Sequence, residues 1–217
     1  MSNKINKLNQ LKNTESFIQA HTIKGFKYID KAGEIVNFYH RKNEIPSFSM
    51  NLDGLIIEKP MEKIETLKIT PTFVWMKFIE IDTLDNISRI YSTELEKICN
   101  ILEIKQVSRL GWRNYFVYEF INTKQAEKTF ERLKILNKTK TEFIRLKIDT
   151  DKSFEGTLML QPLARSDNPE KKAMLFDVDL FKRGETDIKD TQIILRTFRE
   201  YLQSNGGFLN LVDGILG

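Results

Sequence analysis

The chain has 217 residues, of which 41% are hydrophobic and 29% charged, a balance that excludes intrinsic disorder and allows a sizeable packed core. Its net charge is only +4, with Lys alternating with Glu and Asp, which argues against the concentrated basic run of a dedicated nucleic-acid binder. The one cysteine, Cys99, can build neither a disulfide framework nor a zinc ribbon.

The start of the chain leads into no apolar signal region, and no run approaches the roughly 18 apolar residues of a membrane span. A soluble, cytoplasmic protein with no membrane partner is therefore expected. The wealth of Lys, Ile and Asn suggests an AT-rich bacterial or phage genome.

Residues 1–20 read as a polar extension in which Ile5, Leu8 and Leu11 allow a short helix, and residues 21–217 as a single domain. From Gly25 the pattern alternates through Asp30. It then breaks at Lys31-Ala32-Gly33-Glu34 and resumes from Ile35 to His40, which predicts a hairpin. Residues 48–57 and 72–81 read as strands around a charged connection with Pro60 and Pro71. The second is apolar on both faces, as in a central strand. Ser92 followed by Leu95, Ile98, Cys99 and Leu102 predicts a capped amphipathic helix, with Cys99 a small core residue.

Residues 107–120 form a long alternating stretch, and 123–136 carry Ala126, Phe130, Leu133 and Leu136 on one helical side. Strands are expected near 142–149, 156–163 and 173–181. A helix opened by Asp190 and ended by Gly206-Gly207 follows. The last segment repeats Phe208, Leu211, Val212, Ile215 and Leu216 as one helical stripe. It contains no basic residue, and must dock either on its own domain or, as an interface, on a second copy or partner. The order of elements predicts an α+β fold with an antiparallel or mixed sheet and helices packed on one face. A duplicated, ferredoxin-like arrangement is one option.

Chemistry is sparse in this sequence. It has two histidines, His21 and His40, and no H-E-x-x-H, C-x-x-C, G-x-S-x-G, P-loop or dinucleotide fingerprint. No cofactor, no metal and no catalytic residue is expected on that basis. Asp177 and Asp179 fall on one face of a strand, opposite Phe176, Val178 and Leu180. A pair of carboxylates can bind Mg²⁺, but solvation of an outer sheet face is the expectation.

The most distinctive string is Arg109-Leu110-Gly111-Trp112-Arg113-Asn114-Tyr115-Phe116. Alternation puts Leu110, Trp112, Phe116, Tyr118 and Phe120 on a core face, broken only by Asn114. Trp112 should be buried against Leu110, Phe116 or Trp75. Arg109, Gly111, Arg113, Tyr115 and Glu119 form the opposite, basic and aromatic ridge. Gly111 there admits a close neighbour. That ridge can hold an anion or pair with acids such as Asp177 and Asp179.

With Leu175-Phe176-Asp177-Val178-Asp179 and the helix near 190–204, this strand resembles a sporadically distributed family of uncharacterised bacterial proteins. Their mark is an Arg-apolar-Gly-apolar-Arg strand usually followed by Tyr-Asn, an order that Asn114-Tyr115 inverts. The resemblance implies no activity or cofactor, and suits accessory genes of mobile elements or phage defence. The leading expectation is a non-catalytic module that binds another protein, or a second copy of itself, in a bacterial conflict or toxin-neutralising system. The alternative is a nucleic-acid-binding or nuclease-like protein that uses the Arg109 and Arg113 face on phosphates.

Overall fold

A computed structural model describes residues 11–22, 27–40, 47–79, 83–133, 143–148, 150, 154–164, 172–204 and 206–217. The fold is α+β. Nine strands form one antiparallel sheet in the order β2-β3-β4-β5-β1-β6-β9-β8-β7. They are β1 (Leu11–Thr22), β2 (Ser47–Asn51), β3 (Gly54–Met61), β4 (Ile64–Ile69), β5 (Phe73–Phe78), β6 (Gln106–Glu119), β7 (Ile144–Ile148), β8 (Glu155–Ala164) and β9 (Lys172–Asp187). The helices are α1 (Lys27–His40), α2 (Leu84–Ile101), α3 (Thr123–Arg132), α4 (Thr191–Gln203) and α5 (Phe208–Leu216), with a 3-10 turn at Ile188–Asp190 before α4.

The element order repeats. A strand, a helix, a meander of strands and a helix occur twice, first as β1 to α2 and then as β6 to α4. In each half the first strand lies beside the last strand of its own meander, β1 beside β5 and β6 beside β9. The duplication is thus of a β-α-meander-α unit, without the interleaved strands of a ferredoxin-like one.

By compactness the chain divides differently. One unit comprises the chain up to Thr14, Asn114–Asp179 and Glu200–Gly217; the other comprises Glu15–Arg113 and Leu180–Arg199. We call them the terminal and the central unit. Three strands, β1, β6 and β9, contribute residues to both. The segment expected as a polar extension therefore supplies a strand from Leu11 onward, while residues 1–10 lie outside the described ones.

In the central unit, α1 packs on β3 and α2 on β5. They cover the face that carries Ile18, Ala20, Leu55, Ile57, Leu67, Ile69, Val74, Met76 and Phe78, all buried. The hairpin expected over 25–40 is instead α1. Tyr28, Ala32, Ile35 and Tyr39 recur at helical spacing and are all buried. Gly33, which suggested a turn, sits mid-helix with open space around it.

Residues 48–57 are not one strand but a hairpin. Asn51 Oδ1 accepts from the amides of Asp53 and Gly54, at 2.8 and 3.1 Å, and turns the chain. Gly54 has φ 157°, and a Cβ there would stand 2.6 Å from the Ile69 carbonyl oxygen. The charged connection contains β4, whose Ile64, Leu67 and Ile69 point into the core between charged neighbours. Helix α2 begins eight residues before Ser92. Thr83 caps it by accepting from the Asn86 amide at 3.2 Å, while Ser92 donates to the Ser88 carbonyl within the helix.

The terminal unit has its own core. Asn122 caps α3, and the expected continuation to residue 136 runs past Leu133 into residues outside the described ones. Phe208 of α5 packs against Phe116, with ring centroids 4.9 Å apart, and against Phe176 at 6.4 Å. Phe208, Val212, Ile215 and Leu216 are buried and Leu211 is half-buried. Arg132 donates to the Ile215 carbonyl at the C-terminus of this helix, where a cation is favourable. The stripe considered as a partner interface is therefore spent inside the protein. No helix among the described residues is long and apolar enough to cross a membrane.

Candidate functional site

Strand β6 alternates as its sequence requires. Leu110 and Trp112 are buried, while Arg109 is half-buried and Arg113 exposed on the other side. Trp112 is fully buried, and its indole N–H donates to Ser16 Oγ at 2.6 Å, which satisfies the polar atom that burial would otherwise strand. Trp75 is not its neighbour on this face. Val74, Met76 and Phe78 take the core side of β5, which turns Trp75 to the opposite one.

That opposite face of the central unit gathers aromatic and basic side chains. Antiparallel pairing sets Phe17 opposite Lys77, Gln19 opposite Trp75 and His21 opposite Phe73, with Lys68 opposite Trp75 on the next strand. Phe17 stacks on Trp75 with centroids 5.7 Å apart and planes 24° from parallel. His21 meets Phe73 at 6.1 Å. Lys77 lies 5.9 Å from the Phe17 centroid and pairs with Glu65 at 2.6 Å and Glu15 at 3.8 Å. Those two carboxylates hold the Lys77 ammonium above its ordinary range.

Arg109 is the centre of this face. Its guanidinium folds back over Gly111, where a Cβ would stand 3.3 Å from Nη1. The close neighbour that a glycine admits here is thus the side chain two residues away on the same strand. The guanidinium also lies 4.8 Å from the Phe181 ring centroid, and Arg183 lies 5.1 Å from the same ring. Arg109 Nη1 is 3.4 Å from His21 Nε2. A guanidinium only donates, so this contact is a hydrogen bond when Nε2 carries no proton and accepts. Burial, and then the Arg109 charge, hold His21 below its ordinary 6.5.

Asn114, Tyr115, Asp177 and Asp179 belong to the terminal unit. Tyr115 is half-buried in the terminal unit, where its carbonyl accepts from Thr14 at 3.1 Å. Asn114, the break in the core face, is fully buried and accepts from Asn13 at 3.1 Å. Phe176, Val178 and Leu180 are buried as expected, but Asp177 is buried too, only 4% exposed, and does not solvate an outer face. Asp179 is half-buried.

Missed from sequence were His21, Phe17, Trp75 and Phe181. The alternation Glu15, Phe17, Gln19, His21 was the available signal for the first two, and Phe73-x-Trp75 for the third.

The described residues contain no group of three or more His, Cys, Asp or Glu placed to hold a metal ion. Cys99 is buried, and burial pushes its thiol up to about 12, so it behaves as a small apolar residue. Tyr39 donates to the buried Glu94 at 3.0 Å, and Lys97 completes that pair at 2.8 Å, a satisfied polar cluster between α1 and α2. The site on the sheet can therefore do two things: offer flat aromatic surface, and present guanidinium groups to an anion. No family model matches the chain, and no curated protein matches it either.

Proposed function

We propose that the protein is a non-catalytic interaction module that docks an acidic, partly apolar segment of a partner protein on the sheet face around Arg109. The carrying observation is the guanidinium of Arg109, held flat over Gly111 and stacked on Phe181 beside Arg183. An approaching carboxylate meets two positioned guanidinium groups, and Phe17 and Trp75 supply apolar area next to them. Trp and Arg are the residue types that concentrate binding energy at protein interfaces. The resemblance of the Arg109-to-Arg113 strand to a sporadically distributed family of uncharacterised bacterial proteins, a distribution that suits accessory genes, supports a role in a conflict or phage-defence system.

A second reading rests on the stacked pair. Aromatic side chains flanked by Lys68, Lys77 and Arg109 are also a platform for single-stranded nucleic acid, on which bases stack while cations track phosphates.

A photocrosslinking residue placed at position 113 separates the two. The first reading expects a discrete protein adduct in cells that Arg109→Glu and Trp75→Ala both abolish. An adduct removed by nuclease, or steeply salt-dependent binding of a generic oligonucleotide, transfers the face to nucleic acid. An adduct indifferent to Arg109 sinks both.

A further inference from the structure

A second basic site lies in the central unit, away from the sheet face. Helices α2 and α4 flank an open cleft of about 500 Å³ between the first turns of α2 and the first three turns of α4. Its walls carry Arg89 from α2 and Arg196 and Arg199 from α4, against the single carboxylate of Asp85. A spacing of three residues puts Arg196 and Arg199 on one side of α4.

Each arginine is set differently. Arg89 donates to Asn86 Oδ1 at 2.8 Å, which holds its guanidinium over the start of α2. Arg199 pairs with Asp85, and its Nε is buried without a hydrogen-bond partner. Arg196 is exposed and pairs with no carboxylate among the described residues. The Thr83 hydroxyl accepts from the Asn86 amide, and Thr83 and Asn86 both line the cleft at the positive end of the α2 dipole. The wall is completed by Ile193, which is 54% exposed, an apolar side chain without cover.

We propose that this cleft binds a small phosphorylated molecule. Its phosphate sits between Arg89 and Arg196 with the Arg199 guanidinium beside it, and its organic part lies against Ile193. Guanidinium groups match phosphate oxygens with paired, charge-assisted hydrogen bonds, and three of them from two helices surround the anion where one would only attract it. The volume falls in the usual range for small-ligand sites, which run from about 300 to 1,000 Å³. Asp85 sets a limit on affinity because it repels the anion while it positions Arg199.

Calorimetric titration with inorganic pyrophosphate and with ADP, a compact organic diphosphate, tests this. Saturable one-to-one binding of ADP is expected, tighter than that of pyrophosphate, with Ile193→Ser removing the difference. Arg196→Ala and Arg89→Ala each weaken binding by at least about tenfold, the size of one charge-assisted hydrogen bond, without lowering the melting temperature. Arg109→Glu leaves the affinity unchanged, which separates this site from the sheet face. Absence of binding for both probes overturns the proposal. So does binding that survives Arg196→Ala and Arg89→Ala together.

Discussion

The two tryptophans of the chain sit on opposite faces of the same sheet in the central unit, and their surroundings differ in kind. Trp112 has no exposed surface, and a hydroxyl is placed to take its N–H. Trp75 is half-buried, stacks on Phe17, and has cations for neighbours: Lys68 across the strand, and Lys77 against its stacking partner. The covered face is built for stability, since its large side chains are buried and α1 and α2 pack on it. The other face keeps comparable aromatic area within reach of solvent and sets arginines beside it. Strand β6 serves both faces through its alternation, with Leu110 and Trp112 facing inward and Arg109, Gly111 and Arg113 facing outward.

Several substitutions and one change of pH would break or sharpen this contrast. The largest effect is expected for Trp112→Ala, about 3–5 kcal/mol of unfolding free energy from the cavity it leaves. Trp112→Phe should cost less, mainly through the lost indole hydrogen bond to Ser16, about 1 kcal/mol. Urea denaturation measures both, and a small loss for Trp112→Ala would mean that the covered face is not the stabilising one.

Trp75→Ala should cost only about 1 kcal/mol in the same assay, because its neighbours already meet water. The crosslink from position 113 should nevertheless disappear. If Trp75→Ala unfolds the protein as Trp112→Ala does, the distinction between the faces fails.

Gly111→Ala comes next. The new methyl meets the Arg109 guanidinium, which is the end of a flexible side chain, so stability should change by no more than about 1 kcal/mol. The guanidinium must lift from the strand, and the proposed docking should weaken as it does for Arg109→Glu. Docking that tolerates Gly111→Ala would show that the seat over Gly111 is unimportant.

The smallest effect is one of pH. Because burial and Arg109 lower the pKa of His21, the unfolded chain takes up its proton first as the solution is acidified. The contribution of neutral His21 is whole above 6.5 and is lost as pH falls through the lowered folded value. The urea midpoint should therefore drop in that window for the wild type and drop less for His21→Gln. Identical profiles would remove His21 from the Arg109 cluster.

Much of the local architecture was legible in the residues alone. Strand β6 was placed nearly to its ends, and the face of Trp112 followed from its period-2 position between Leu110 and Phe116. The apolar stripe of α5 was legible for the same reason. Where periodicity competes with composition, the reading failed. In α1 the helical recurrence of Tyr28, Ala32, Ile35 and Tyr39 was masked by aromatic and β-branched residues and by Gly33, all of which favour a hairpin. In β4 the charges of Glu65 and Lys68 hid a strand whose core residues are only Ile64, Leu67 and Ile69.

The sequence by itself determined that the protein is α+β, which side of β6 carries Trp112, and that Arg109, Gly111 and Arg113 share a ridge. These are properties of covalent neighbours, set by the period of a strand or a helix. What only the tertiary structure decided is the company Arg109 keeps. His21 lies 88 residues earlier in the chain and is brought beside Arg109 by the pairing of distant strands. Phe181 comes from β9, which strand order sets beside β6, and whether α5 would face a partner or its own core depended on Phe116 and Phe176. Such meetings depend on strand order and register. Those are settled by which faces bury the most apolar surface when the whole sheet assembles, and no local window of sequence contains that information.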